Sequence, residues 1–375
     1  SSRGPRPRRG QRRRRCGARL ALRGMGRVEP NPMVGCVIAR DGRMLGAGRH
    51  TAFGAAHAEV EALGSCRRQG HDPAGATVYV TLEPCAHHGK TPPCAEALIR
   101  AKVAEVVYAR ADPSPSRGGA EALRAAGIRA RQCGASPAAT HLSDPFMKRA
   151  TTGLPWVICK WAQTIDGRIA TRAGESQWIS GPRSRAQVHR LRGRVDAILT
   201  GAGTVLADNP LLTARGERAP RRVAQRIVID PELATPLSSA LVQTARQAPL
   251  AIVCAPGAGS AQREALSDAG AQIIEAPAAP GGLNLRSALA DLATRFGLTT
   301  ALVEAGPRLI GSLIAEDLAD ALLVYIGPMA LADGAAPGPA TGRAAPALAD
   351  ARGFELVNAR RIGPDAALYY RRRSG

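Results

Sequence analysis

The stretch Val80–Cys94, VTLEPCAHHGKTPPC, decides how this chain is read. An apolar run that predicts a strand leads into a Pro- and Gly-rich turn, with Cys85 and Cys94 on either side of it. Upstream, the tripeptide HAE sets His57 two residues before Glu59. One imidazole and two thiolates make a three-ligand zinc set, which leaves a coordination position open where a structural site would be closed. Glu59 lies beside that set without being needed as a ligand, and it is the general acid/base that an open position calls for.

Histidine, glutamate and paired cysteines in this order follow the H-x-E…P-C…C pattern of zinc-dependent nucleobase deaminases. The eight-residue gap between the cysteines departs from the C-x-x-C of that pattern. Its insert, AHHGKTPP, adds two imidazoles and an ammonium. His87 or His88 could hydrogen-bond a polar substrate, and Lys90 could meet a phosphate. Neither histidine is expected as a fourth ligand, because that would close the site. Asn31, between Pro30 and Pro32, is either a turn residue or an amide offered to a pyrimidine edge. Glu83 reads as a helix-start carboxylate and Cys36 as core. His50, His71, His141 and His189 read as structural.

Around the motif, strands alternate with short helices. A strand is expected over Val34–Ala39, a turn at Asp41-Gly42 and a second strand after it. HAEVEAL predicts a helix with His57 and Glu59 in its first turn, and PCAEALIRA a second one. ATVYVTL and VAEVVYA predict strands. This alternation predicts an α/β layer structure. It also sets His57 and both thiolates at helix N-termini, whose positive ends favour thiolates.

Composition sets limits on function. The chain has 375 residues, long enough for two domains, and 45% of them are hydrophobic. No apolar run approaches the ~20 residues of a membrane span, and no apolar segment follows the basic start as in a secretory signal. The net charge of +21 suggests nucleic acid, but eight arginines lie in the first fifteen residues and the rest of the excess is scattered. Aromatics, at 3%, offer few stacking platforms. No nucleic-acid or membrane partner is expected. Residues 1–16 read as a disordered basic arm. Eight cysteines over so long a chain are no disulfide scaffold, and a cytoplasmic location is expected.

A boundary is expected within 136–152, where periodicity fades. The two domains then run over 17–150 and 151–375. WVICKWA, DAILTG, RIVID, PLAIVCA, AQIIEA, TALVEAG and ALLVYIG predict strands of a largely parallel sheet, with PRSRAQVHRLRGR and LRSALADLATRFG as helices. Two glycine turns, GAGTVLADNP and EAGPRLIGSLI, could each receive a dinucleotide phosphate or be ordinary βα turns. On the residues alone, a tRNA or nucleoside deaminase and a zinc-stabilised RNA-binding module remain alternatives. The long cysteine insert argues against the first, and the missing fourth ligand against the second.

Taken together, HAE, EPNPMVGCVI, TLEPCAHHGKTPPC, KWAQTIDGRIATRAGESQWIS, DAILTGAGTVLADNPLLTAR and VEAGPRLIGSLI resemble the bifunctional riboflavin-biosynthesis deaminase–reductase family, from about Gly17 to Arg371. The resemblance implies a cytidine-deaminase-like three-layer domain followed by a dihydrofolate-reductase-like domain. It implies one zinc ion held by His57, Cys85 and Cys94, with Glu59 moving the proton, and hydrolytic deamination of a diaminopyrimidinone bearing a phosphoribosylamino group. The second domain would then use NADPH to reduce the ribosyl group to ribityl. Ala162, Trp178, Thr204, Asp208 and the run Gly306, Pro307, Arg308, Leu309, Ile310, Gly311 and Ser312 match NADPH-contacting positions. Ser176, Arg192, Leu212, Arg215 and Glu304 match substrate-contacting ones. The two arginines suit the ribose phosphate, and Lys160 and Asp166 read as an ion pair or turn. After ADPSP the chain reads SRGGAEALRAAGI, shorter than the family's link there. A homodimer or homotetramer is expected.

Overall fold

The computed structural model describes residues 9–88, 92–133, 137–216, 219–342 and 345–373. The chain divides into two units, one ending at Gly153 and the other starting at Leu154.

The first unit contains α1 (Arg9–Ala21), β1 (Gly35–Arg40), β2 (Arg43–Arg49), α2 (Ala58–Arg68), β3 (Thr77–Val80), α3 (Cys94–Arg100), β4 (Glu105–Tyr108), α4 (Gly119–Ala125), β5 (Arg129–Gln132), α5 (Pro137–Thr140) and α6 (Asp144–Thr152). Its sheet has the order β2-β1-β3-β4-β5. β1 runs antiparallel to β2 and β3, and β3, β4 and β5 run parallel. Asp41 and Gly42, with φ of 47° and 82°, turn β1 into β2 as a two-residue hairpin loop requires.

Alternation along the strands separates two faces. Cys36, Ile38, Val78, Val80 and Val106 pack with Ala62, Leu63, Leu98 and Leu123 from α2, α3 and α4. On the other face, Ala18 of α1 meets Ala109 and Ala139. The guanidinium of Arg13 lies 5.5 Å from the Tyr79 ring centre. Helix, sheet and helix make three layers.

The α2 layer sits unusually close to β2. A Cβ at Gly48 would meet Ala58 O and Ala62 N at 2.4 Å, and one at Gly46 would meet Ala62 O at 2.6 Å. Only glycine admits that approach, and it fixes the helix end that carries His57 and Glu59.

One expectation is corrected here. The basic arm is helical from Arg9 onward, while its first eight residues lie outside the described ones. Arginine is a good helix former, and the helix is held by its far end, where Gly17 meets Gly35 so closely that a Cβ on Gly35 would lie 2.0 Å from Gly17 O. The stretch where the boundary is expected, 136–152, comes directly before the division between the units and is largely the helices α5 and α6. There Asp144 is buried and ion-paired to Arg110.

The second unit contains β6 (Trp156–Gln163), α7 (Pro182–Arg192), β7 (Ala197–Gly201), α8 (Ala202–Asp208), β8 (Gln225–Ile229), α9 (Ala240–Gln243), β9 (Leu250–Cys254), α10 (Ser260–Asp268), β10 (Gln272–Glu275), the small hairpin β11 (Ala278–Ala279) and β12 (Gly282–Leu283), α11 (Leu285–Phe296), β13 (Thr300–Val303), α12 (Pro307–Ala315), β14 (Ala321–Ile326), β15 (Phe354–Ile362) and β16 (Asp365–Arg372). The main sheet has the order β10-β9-β8-β7-β13-β6-β14-β16-β15. It is parallel from β10 to β14, with β16 and β15 added antiparallel. β8 and β9 are buried at every position, as parallel strands covered on both faces are. Among the described residues no helix is long and apolar enough to cross a membrane.

Candidate active sites

His57 is the N-cap of α2, with φ −71° and ψ 163°. Its ring therefore stands at the open end of the helix, and Glu59 follows in the first turn. Cys94 opens α3. Cys85 lies on no helix, contrary to expectation, in the turn after β3. It is drawn to α3 by the Cys94 backbone N–H, which donates to its Sγ at 3.3 Å. His57 Nδ1 lies 3.6 Å from Cys85 Sγ and 3.3 Å from Cys94 Sγ. One ligand atom from each of the three residues falls within 4.8 Å of the others.

The protonation pattern of this cluster suits a cation. The hydrogen bond from Cys94 holds Cys85 down to about 4, against the effect of burial and with help from His57. The same bond and burial raise Cys94 well above the ordinary thiol range. Neither cysteine is in a disulfide, and Cys85 is half-buried. A thiolate partly withdrawn from water needs a positive partner, and a bound metal ion supplies one. Burial, reinforced by the charge of Cys85, pushes the Glu59 carboxyl up to about 7, although His57 and a hydrogen bond with Cys94 work the other way. The donor set fits zinc.

Asn31 reaches this centre through His50. Its Nδ2 is 3.2 Å from His50 Nε2, and the His50 ring meets the His57 ring edge-on at 5.3 Å. Burial lowers the pKa of His50. The sequence treats His50 as structural, and only its position seven residues before His57 hints otherwise. His87 is exposed. His88 turns to Glu96, with 3.0 Å between Nε2 and Oε1. Lys90 lies outside the described residues. Glu83 accepts from the backbone N–H groups of Asp112 and Ala120, at 3.1 and 3.0 Å. It is a helix-start carboxylate, but for α4 rather than for the segment that follows it.

In the second unit the two glycine turns follow neighbouring parallel strands. Gly201 ends β7 and caps α8. Gly306 follows β13 and caps α12, with Pro307 in the first turn. The Gly306 N–H donates to Thr204 Oγ1 at 2.9 Å, so the turns lie side by side. Gly306 has no side chain to cap α12, which leaves first-turn amides for a ligand.

Glu304, two residues before Gly306, is the centre of an ion-paired cluster. Arg192 donates Nε–H and Nη2–H to its two carboxylate oxygens at 2.6 and 3.0 Å, and Lys160 Nζ lies 3.3 Å from Oε2. Burial pushes the carboxyl up, but Lys160 and Arg192 outweigh it and hold Glu304 down to about 2. The bidentate fork of Arg192 is therefore given to Glu304, where a phosphate was expected, and its Nη1 donates to Thr213 O at 3.3 Å. Leu212 is buried, with φ 51°. Trp178 is exposed and lies 4.2 Å beneath the Arg185 guanidinium. Asp208 and Arg215 are exposed, outside the ion-paired cluster. Ala162 sits on β6 opposite Tyr325, and Ser176 is half-buried in the loop before α7.

A three-layer domain with a His–Cys–Cys set, followed by a mostly parallel sheet with paired glycine turns, defines a two-part enzyme of the deaminase-plus-reductase class. Residues 15–110 match the family described as "Cytidine and deoxycytidylate deaminase zinc-binding region", and residues 155–368 match "RibD C-terminal domain". The chain belongs to the RibD family of riboflavin biosynthesis proteins. It is 39% identical to riboflavin biosynthesis protein RibD of Escherichia coli strain K12, over 94% of this chain and 96% of that one. To the Aquifex aeolicus protein of the same name it is 36% identical, again over 94% and 96%. Among solved structures, form 1 of Acinetobacter baumannii RibD matches with a TM-score of 0.80 and 32% identity, over 98% of this chain and 99% of that one. A Thermotoga maritima diaminohydroxyphosphoribosylaminopyrimidine deaminase/5-amino-6-(5-phosphoribosylamino)uracil reductase also matches with a TM-score of 0.80, at 31% identity over 97% and 99%.

Proposed function

We propose that the chain carries out two consecutive steps of riboflavin biosynthesis. The first unit hydrolytically deaminates a diaminopyrimidinone that bears a phosphoribosylamino group. The second reduces the ribosyl group of the product to ribityl with NADPH. The observation that carries this reading is the meeting of His57, Cys85 and Cys94 beside the buried Glu59.

His57, Cys85 and Cys94 hold one zinc ion. When bound, zinc supplies the Lewis acidity that activates water near neutral pH. Glu59 takes a proton from the attacking water and delivers it to the departing amino group as ammonia leaves. Its environment, which lifts the carboxyl toward 7, lets one group act as base and then as acid. Asn31 offers its amide to the pyrimidine and His87 serves its polar groups, while Lys90, expected to meet the phosphate, lies outside the described residues.

In the second unit, the first-turn amides of α12, at Arg308 and Leu309, receive the cofactor diphosphate, and the rest of the run Gly306 to Ser312, with Thr204, lines that turn. Ala162, Trp178 and Asp208 complete the cofactor contacts. NADPH supplies the hydride when bound. Ser176, Leu212, Arg215 and the Glu304–Arg192 pair shape the substrate side, with Arg215 left as the phosphate partner. Glu304, charged and fixed by two cations, accepts from substrate hydroxyls rather than donating to them.

A two-stage assay on the purified chain tests the pair of activities. Ammonia release without NADPH, followed by NADPH oxidation once it is added, is the expected sequence. Oxidation with no preceding ammonia release would overturn the proposed order.

A further inference from the structure

His50 follows β2 and is buried. Its Nδ1 is 3.1 Å from the Ala56 carbonyl oxygen, which can only accept, so Nδ1 carries the ring hydrogen. With the hydrogen on Nδ1, the neutral ring keeps its lone pair on Nε2, which faces the Asn31 side-chain amide at 3.2 Å. The ring is therefore the neutral Nδ1–H tautomer. Its own backbone is tied in place, with the His50 N–H donating to Val34 O at 3.0 Å. Asn31 is fixed as well, its backbone N–H donating to Val28 O at 2.9 Å. With both main chains held, the orientation of the Asn31 amide is decided by which of its two ends suits Nε2.

We propose that His50 is a positioning residue for substrate recognition: its Nε2 lone pair holds the Asn31 amide in the one orientation that offers Oδ1, a hydrogen-bond acceptor, to an N–H donor on the edge of the pyrimidine. The proposal rests on the reading of Asn31 as a pyrimidine contact and goes beyond it by assigning the polarity of that contact. The opposite tautomer would turn the amide over and present an NH2 donor, which suits a carbonyl edge instead. A site built to accept from an N–H rejects a partner that lacks the donor, because a buried acceptor is then left unpaired. The ring of His50 also backs that of His57, so the element that orients the pyrimidine shares a wall with the metal-type set.

A double-mutant cycle on the zinc-loaded full chain tests this, using the diaminopyrimidinone ribosyl phosphate and ammonia release. Asn31→Ala and His50→Phe are each expected to raise KM on the order of tenfold, as loss of one hydrogen bond does, with kcat changed less. The double variant is expected to be no worse than the poorer single one, because His50 acts through Asn31. Multiplied effects would overturn the proposal, as would a KM left unchanged by His50→Phe. The second measurement needs no variant: nitrogen-15 NMR of the histidine-labelled chain reads the tautomer directly. A protonated Nδ1 and a bare Nε2 on His50 are expected, and a protonated Nε2 would overturn the assignment. If the unaltered chain releases no ammonia, the deaminase reading fails, while the tautomer result still stands on its own.

Discussion

The two candidate sites are built on opposite plans. In the first unit, three side chains from separate elements bring their ligand atoms within 4.8 Å of one another, a donor set that suits a cation. In the second unit, the charged side chains complete one another. Glu304 already has Arg192 and Lys160, and the glycine turns beside Thr204 offer backbone to a ligand. The first site has to supply its own chemistry, so it holds reactive groups in unsatisfied form. The second borrows a cofactor's chemistry and needs only a rigid, neutralised wall and a cradle.

If this contrast is right, the sites fail in different ways. The largest effect is expected from Cys85→Ala, which removes a ligand and cannot be compensated. Bound zinc and ammonia release are both lost, while NADPH oxidation with supplied intermediate continues. Metal analysis and the two assays check this, and retained deamination would show that the cluster is not the metal site.

Next in size is Glu304→Ala. It leaves Arg192 and Lys160 without their carboxylate where their side chains are 13% and 17% exposed, and breaking such a pair costs about 3–5 kcal/mol. Urea unfolding of the second unit is expected to show a loss of that order, with deamination intact.

Acid should report the same cluster. Glu304 is held at about 2, below its ordinary 4.5. Its contribution is therefore fully present above pH 4.5 and is lost as pH falls through about 2. On the order of 3 kcal/mol is involved, and Glu304→Gln is expected to flatten this part of the stability–pH curve. The smallest effect is expected from Thr204→Val, which removes the acceptor of the Gly306 N–H. A few-fold rise in KM for NADPH follows from loss of about 1 kcal/mol, with the deaminase rate unchanged.

The difference between the sites also decides how far the sequence could be read. His57, Glu59, Cys85 and Cys94 are legible because reactive side chains at short spacings are rare and carry their chemistry in their identity. The apolar runs of both sheets are legible for a similar reason, since a strand such as β9, LAIVC, is continuous in hydrophobicity. What depends on distant partners was not. The Arg-rich start looked like an arm because its helix is secured at Gly17 against Gly35, a contact no local pattern shows. β15 is mostly exposed, β16 is mostly half-buried, and both mix charged with apolar residues, so no continuous apolar run advertises the hairpin. Arg192 suggested a phosphate until the fold brought in Glu304, 112 residues away. His50 looked structural because its partner nitrogen and the His57 ring meet it only in three dimensions.

Glu59→Gln tests the central claim most directly, since it keeps the size and shape of the side chain and removes only its ability to carry a proton. Zinc content, ammonia release and NADPH oxidation with supplied intermediate should be measured on one preparation. Zinc at one per chain, ammonia release down roughly a thousandfold and unchanged NADPH oxidation is the expected result. Ammonia release at the rate of the unaltered chain, with zinc bound, would contradict the role assigned to Glu59.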